Sequence, residues 1–174
     1  MWISEATATE IFEMDEMYHF IKRKANSETR ENVYLVSPVS REPRQVVGFS
    51  VAHDKSPQRL QGIVDNSLEA ENYATDGYLA YIDLVYPGKH IRNVNNKNDT
   101  FTVEGINADL RHYIPVLARR SRCFARTLET LEAVLFVFIE AYNKFGEAKQ
   151  RYRTRQQTLG RSCREVPFSI VDFL

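Results

Sequence analysis

The chain has 174 residues, of which 43% are hydrophobic and 26% charged, and its 23 basic side chains balance 23 acidic ones. This length and composition predict one compact domain and argue against disorder throughout. The longest strongly apolar run, residues 135–139, excludes a membrane-spanning helix, which needs ~20 residues. The N-terminal residues do not resemble a secretory signal, and the two cysteines have neither metal-ligand nor disulfide-framework spacing. We therefore expect a cytoplasmic protein with no membrane partner.

The charges are distributed unevenly between the two halves of the chain. Residues 1–88 hold 8 basic and 14 acidic side chains, whereas residues 89–174 hold 15 basic and 9 acidic ones. An acidic half followed by a basic half is compatible with carboxylate chemistry beside a polyanion-binding surface. It is equally compatible with uneven decoration of the surface, so charge alone does not decide between these interpretations.

The first half of the chain predicts an antiparallel meander and then a helix. Three segments rich in β-branched and aromatic residues are the expected strands, at residues 10–21, 32–39 and 44–51. Their short connections make them neighbours in one sheet, and the second is expected to stop near a proline. Ser56 and Pro57 then form a helix start, and apolar residues follow at helical spacing.

The second half predicts two more strands and two long helices. The strands are expected at residues 72–77 and 90–94, separated by a short helix over 78–85. One long helix covers about 100–116, and the other begins after Thr127 and ends at Gly146. The element order predicts an α/β fold with a ribonuclease-H-like mixed sheet, three antiparallel strands plus two further strands, flanked by helices. Residues 1–146 are expected to form this domain and residues 147–174 a basic C-terminal tail.

Three acidic residues occupy significant positions in such a layout. Asp15 lies on the first strand, Asp76 ends the fourth, and Glu104 lies on a later helix that approaches the same point. Carboxylate oxygens suit Mg²⁺ or Mn²⁺, and two such ions ~3.5–4 Å apart promote in-line phosphoryl transfer. Because the chain has 23 acids, some trio always fits this spacing. The alternative is that the three are solvated surface acids, with Asp76 as a turn former.

An ordered set of short motifs adds a family resemblance. The most specific are Met-Asp-Glu on the first strand, Thr-Asp-Gly at Asp76, and Glu104 followed by Asn at +3 and Leu-Arg at +6 and +7. Over about residues 10–145 the chain resembles the catalytic domain of the DDE transposases of the insertion-sequence-one family. The resemblance implies that Asp15, Asp76 and Glu104 are both catalytic and metal-binding, with two Mg²⁺ or Mn²⁺ ions. It implies phosphodiester hydrolysis and strand transfer at insertion-sequence ends.

The same resemblance suggests which residues contact DNA. Asn107 and Arg111 match family positions, and their offsets from Glu104 place all three on one helix face. Lys97 matches a lysine of some relatives. An acid-free stretch, residues 111–126, is either a groove for DNA phosphates or a solvated basic loop. Its arginines include Arg119, Arg120 and Arg122.

The chain also departs from the family pattern. Gly105 stands where relatives usually carry a polar or basic residue, and Ala125 replaces a serine. Relatives also have an N-terminal zinc-binding and helix-turn-helix portion. We therefore expect the partners to be DNA at the element ends and the target, further copies of the chain in a homo-oligomer, and such an N-terminal portion from the same element. The departures leave a second hypothesis open, a non-catalytic fragment that regulates transposition by binding DNA or the full-length transposase.

Overall fold

A computed structural model of the protein describes residues 10–22, 31–42, 44–92, 99–118 and 123–159. Within them, six strands form one mixed sheet with the order β3-β2-β1-β5-β6, and β4 also pairs with β2. β1 is antiparallel to β2 and parallel to β5, which is in turn parallel to β6. The strands are β1 (Ile11–Ile21), β2 (Glu31–Ser40), β3 (Gln45–Val46), β4 (Ser50–Ala52), β5 (Asn72–Thr75) and β6 (Lys89–Arg92).

Among the described residues, three α-helices flank the sheet. They are α1 (Pro57–Asp65), α2 (Phe101–Tyr113) and α3 (Leu128–Leu159). No helix in the described ranges is both long and apolar enough to cross a membrane. An antiparallel meander followed by two parallel strands, with helices on both faces, confirms the predicted ribonuclease-H-like α/β fold.

The predicted third strand is divided into two short strands. Val39 pairs with Val46 and Val36 pairs with Ser50, so two residues of β2 between these pairs oppose three residues of the neighbouring segment. The extra residue is a β-bulge beside Pro38, which has no amide to donate to the ladder. β2 itself continues through Pro38 to Ser40, further than predicted.

Two helical predictions are corrected by the structure. The segment predicted as a helix over 78–85 forms only a 3₁₀ turn, Leu79–Tyr81. α3 does not end at Gly146 but continues to Leu159, because a single glycine weakens a helix by about 1 kcal/mol without breaking it. Its predicted start is confirmed, since Thr127 Oγ1 accepts the Thr130 amide at 3.2 Å. The division of the chain at residue 146 stays a prediction.

Each face of the sheet carries its own apolar core, and alternation along β1 assigns its side chains to one or the other. Phe12 and Met14 belong to the core under α1, together with Tyr81 of the 3₁₀ turn. Met17 and Ile21 belong to the core under α2 and α3. Asp15 therefore points toward the α2 side and its neighbour Glu16 toward the α1 side.

Two glycines give opposite expectations for stability. A methyl group at Gly105, inside α2, would have the end of the Arg44 side chain as its nearest neighbour, at 3.3 Å. We expect Gly105→Ala to raise the free energy of unfolding by somewhat less than ~1 kcal/mol in urea denaturation, because alanine favours the helix. Gly88→Ala is the contrasting variant, since its Cβ would lie 2.3 Å from the Ala70 carbonyl oxygen. The free energy of unfolding of Gly88→Ala should fall by about 1–3 kcal/mol, and an increase would contradict the close packing at Gly88.

Candidate active site

Three carboxyl groups meet where β1 and β5 lie side by side. Met14 pairs with Thr75 in parallel register, so the next residues of the two strands, Asp15 and Asp76, come together. Glu16 follows Asp15. One oxygen from each of the three carboxylates lies within 4.8 Å of the others. The structure thus brings together two of the three predicted acids, and it adds a neighbour that the sequence analysis did not assign.

Hydrogen bonds within the turn and from β6 fix the turn that carries Asp76. Asp76 Oδ1 accepts the Tyr78 amide at 2.8 Å, which closes the turn on itself. From β6, Arg92 Nη2 donates to the Gly77 carbonyl at 2.6 Å, and His90 Nε2 lies 2.8 Å from Thr75 Oγ1. These contacts hold the Asp76 carboxylate toward Asp15.

Helix α2 approaches the cluster from the other side through Asn107. Its Nδ2 donates to Asp15 Oδ2 at 3.1 Å, and its Oδ1 is buried with no hydrogen-bond partner among the described residues. Asn107 is therefore a buried side chain that contacts Asp15, and its predicted contact with DNA stays a prediction. The third predicted acid, Glu104, lies outside the group of oxygens within 4.8 Å, although its negative charge contributes to raising the pKa of Asp15.

The predicted basic residues are only partly within the described ranges. Arg111 is half-buried, and its Nη2 donates to the Tyr18 carbonyl at 3.4 Å. Four predicted DNA-binding residues lie outside the described residues: Lys97, Arg119, Arg120 and Arg122. The basic groove for DNA phosphates stays a prediction.

The cluster carries more negative charge than its surroundings compensate. Burial raises the pKa of Asp15, the charges of Asp76 and Glu104 raise it further, and hydrogen bonds from the Glu16 amide and Asn107 oppose the rise. Burial also raises the pKa of Glu16, against the lowering effect of Lys55. Raised carboxyl pKa values mean that the charged forms are insufficiently stabilised, which a divalent cation would correct.

Two further residues of the site had no signal in the sequence. Lys55 Nζ lies 3.4 Å from Glu16 Oε1 and 3.7 Å from the centre of the Tyr78 ring. The buried hydroxyl of Tyr81 has no hydrogen-bond partner within 3.5 Å among the described residues, and its pKa is raised by burial and by the nearby carboxylates. Lys55 and Tyr81 reach the cluster only through tertiary packing, so no local pattern could have identified them. Glu16 had one signal in the sequence, its position directly after Asp15.

Carboxylates from the first strand and from the end of the strand parallel to it, gathered where these two interior strands pair in a mixed sheet, define a ribonuclease-H-like protein with a candidate metal centre. The family model described as IS1 transposase matches residues 8–145. The chain belongs to the IS1 transposase family, which confirms the resemblance identified from its motifs.

Other comparisons add little. No curated protein matches the chain significantly. A similar solved chain comes from the cryo-EM structure of the simian T-cell lymphotropic virus intasome in complex with PP2A regulatory subunit B56 gamma. The identity is 12% and the TM-score 0.39, and the match covers 75% of this chain and 49% of that one, so this protein spans about half its length. A likeness of this size carries no argument about function.

The repulsion within the cluster can be tested by removing one charge. Asp76→Asn keeps the oxygen that accepts the Tyr78 amide, and we expect the pKa values of Asp15 and Glu16 to fall toward their ordinary range. The metal-free variant should be more stable by roughly 1 kcal/mol, which corresponds to about 2–4 °C in Tm for a chain of this size. Carboxyl ¹³C titration by NMR and thermal unfolding are the measurements.

The pH dependence of stability has a defined sign. The pKa values of Asp15 and Glu16 are raised in the folded state. These groups therefore stabilise the protein fully at pH values below their ordinary pKa values, 3.8 and 4.5. That contribution is lost as the pH rises through the folded pKa values. The loss should be smaller in Asp76→Asn than in the parent, whereas Asp83→Asn, at an exposed position, should match the parent. Identical pH profiles for all three proteins would contradict the proposed repulsion.

Proposed function

We propose that this IS1-family transposase is a metal-dependent DDE enzyme that hydrolyses a phosphodiester at an insertion-sequence end and transfers the strand to target DNA. The observation that carries the proposal is the convergence of Asp15, Glu16 and Asp76 where β1 pairs with β5, in a chain of this family. A half-buried cluster of like charges destabilises the fold, so its presence favours a role in binding cations.

The donor set fits Mg²⁺ or Mn²⁺. The cluster offers carboxylate oxygens, and one buried oxygen beside it, Asn107 Oδ1, lacks a hydrogen-bond partner among the described residues. Hard divalent cations prefer such oxygen ligands. Asp15, Asp76 and Glu104 are the residues that would hold the two ions. When bound, the ions supply activation of the attacking oxygen and stabilisation of the leaving oxygen.

The remaining residues position these carboxylates and the DNA. Asn107 donates to Asp15 through its Nδ2 and Lys55 pairs with Glu16, and we assign the role of third catalytic acid to Glu104 rather than to Glu16. Arg111 contacts DNA phosphate through its guanidinium. The same role is proposed for Lys97, Arg119, Arg120 and Arg122.

The proposal extends to the assembly in which the enzyme acts. Its partners are DNA at the element ends and at the target, further copies of the chain, and an N-terminal DNA-binding portion from the same element. The protein acts in the cytoplasm.

The proposal is tested by Mn²⁺-dependent nicking of supercoiled plasmid DNA. Asp76→Ala should reduce the nicking rate by at least ~10³-fold, because the lost metal stabilisation amounts to several kcal/mol. Asp83→Asn should nick at the parental rate, and both variants should bind DNA as tightly as the parent in a gel-shift assay. Nicking by Asp76→Ala at the parental rate would refute the assignment. A parent that binds DNA without nicking it would support the non-catalytic regulator instead.

A second comparison identifies the third carboxylate. Glu104→Gln should reduce nicking as strongly as Asp76→Ala, whereas Glu16→Gln should reduce it by less than ~10-fold because Glu16 is paired with Lys55. The opposite order of effects would assign the third metal ligand to Glu16 and would remove Glu104 from the site.

A further inference from the structure

Glu13 is a buried carboxylate whose position the acid cluster does not explain. Its side chain is completely inaccessible to solvent, which is rare for a glutamate unless it is paired. Oε1 accepts Nε of Arg41 at 2.6 Å. Oε2 accepts the backbone amides of Thr102 at 2.7 Å and Val103 at 2.9 Å. A side chain of β1 therefore satisfies the first turn of α2.

This contact replaces the cap that α2 lacks in its own sequence. The first amides of a helix have no partner within the helix and carry partial positive charge, so a carboxylate there is stabilising. The N-cap residue, Thr100, makes no side-chain capping hydrogen bond. Glu13 supplies that interaction from another element, and it thereby fixes where α2 begins relative to β1.

Arg41 completes the arrangement. Its Nη2 donates to the Asp99 carbonyl at 2.8 Å, and its Cζ lies 5.2 Å from the centre of the Phe101 ring. Arg41 thus neutralises Glu13 and also holds the residues that lead into α2. We call this set of contacts from Glu13 and Arg41 to the start of α2 the Glu13–Arg41 clasp.

The clasp and the metal centre share one strand face. Glu13 and Asp15 are two residues apart on β1 and both point toward α2. Glu13 binds the amides of Thr102 and Val103, and Asp15 accepts the side chain of Asn107. Glu104 lies between these two attachment points along the helix. Apolar packing presses α2 onto the sheet but is not directional, whereas these hydrogen bonds fix its rotation and its translation.

We propose that Glu13, supported by Arg41, is a positioning residue that sets the register of α2 against β1 and so determines where Glu104 lies relative to Asp15 for metal binding. The inference rests on the proposed function and deepens it, because it assigns the second layer of the metal centre. Residues that orient metal ligands typically contribute 10–100-fold to metal affinity.

The test compares Glu13→Gln with a matched control, Asn143→Ala. Glutamine keeps the shape of Glu13 but directs an NH₂ group at donors, either Arg41 or the α2 amides. Asn143 is also buried and also joins a helix to a strand, since it bonds the amide and carbonyl of Val46 at 2.9 and 2.7 Å. Both substitutions remove buried hydrogen bonds, but only Glu13→Gln releases the start of α2.

Two measurements other than activity report on the clasp. In the metal-free protein, amide hydrogen exchange at Thr102 and Val103 should be faster in Glu13→Gln than in Asn143→Ala. In thermal unfolding with added Mn²⁺, the concentration giving half-maximal stabilisation should rise by ~10-fold or more in Glu13→Gln and stay within ~2-fold of the parent in Asn143→Ala. Arg41→Lys keeps the charge but not the paired donors. It should shift the amide exchange rates and the half-saturating Mn²⁺ concentration in the same direction as Glu13→Gln, but by smaller amounts. It provides the test if Glu13→Gln does not fold.

The outcomes separate this inference from the proposed function. If Asp76→Ala abolishes the Mn²⁺-dependent stabilisation but Glu13→Gln and Arg41→Lys keep the parental half-saturating concentration, the clasp is only structural and the inference is wrong. If the parent itself gains no stability from Mn²⁺, the proposed metal centre fails, and the inference fails with it.

Discussion

Everything at the candidate active site follows from how two parallel strands pair. With Met14 opposite Thr75, the carboxylates of Asp15 and Asp76 become neighbours although 60 residues separate them along the chain. A shift of one residue in this register would turn the side chains of β1 to the opposite faces of the sheet. The apolar residues of β1, such as Phe12 and Met17, resist that shift because each belongs to a core on a particular face.

The fold tolerates the resulting repulsion by surrounding the acids with donors. Asn107 donates to Asp15, the Tyr78 amide donates to Asp76, and Lys55 pairs with Glu16. Each donor comes from a different segment, so the site is assembled from both faces of the sheet. The pKa values of Asp15 and Glu16 stay raised despite these contacts, so the donors compensate only part of the negative charge.

Much of the fold was predictable from patterns that depend on local sequence. Segments rich in β-branched and aromatic residues located β1 and β2, the segment that ends in the Thr-Asp-Gly turn located β5, and the Ser56-Pro57 pair located α1. The bulge beside Pro38 was missed because strand pairing overrode the local signal, and the continuation of α3 was missed because a single glycine does not end a helix. At the site, motifs indicated Asp15, Asp76 and Glu104. They did not indicate Lys55 or the Glu13–Arg41 clasp, since side chains far apart in sequence meet there only after the sheet has formed.

The divided strand at one side of the sheet has a consequence for solution behaviour. β3 has two residues and β4 has three, and the bulge between them interrupts the line of backbone amides and carbonyls. An uninterrupted outer strand is a template on which another chain can add its own strand, and this can lead to aggregation. The broken edge presents too short a template for such growth.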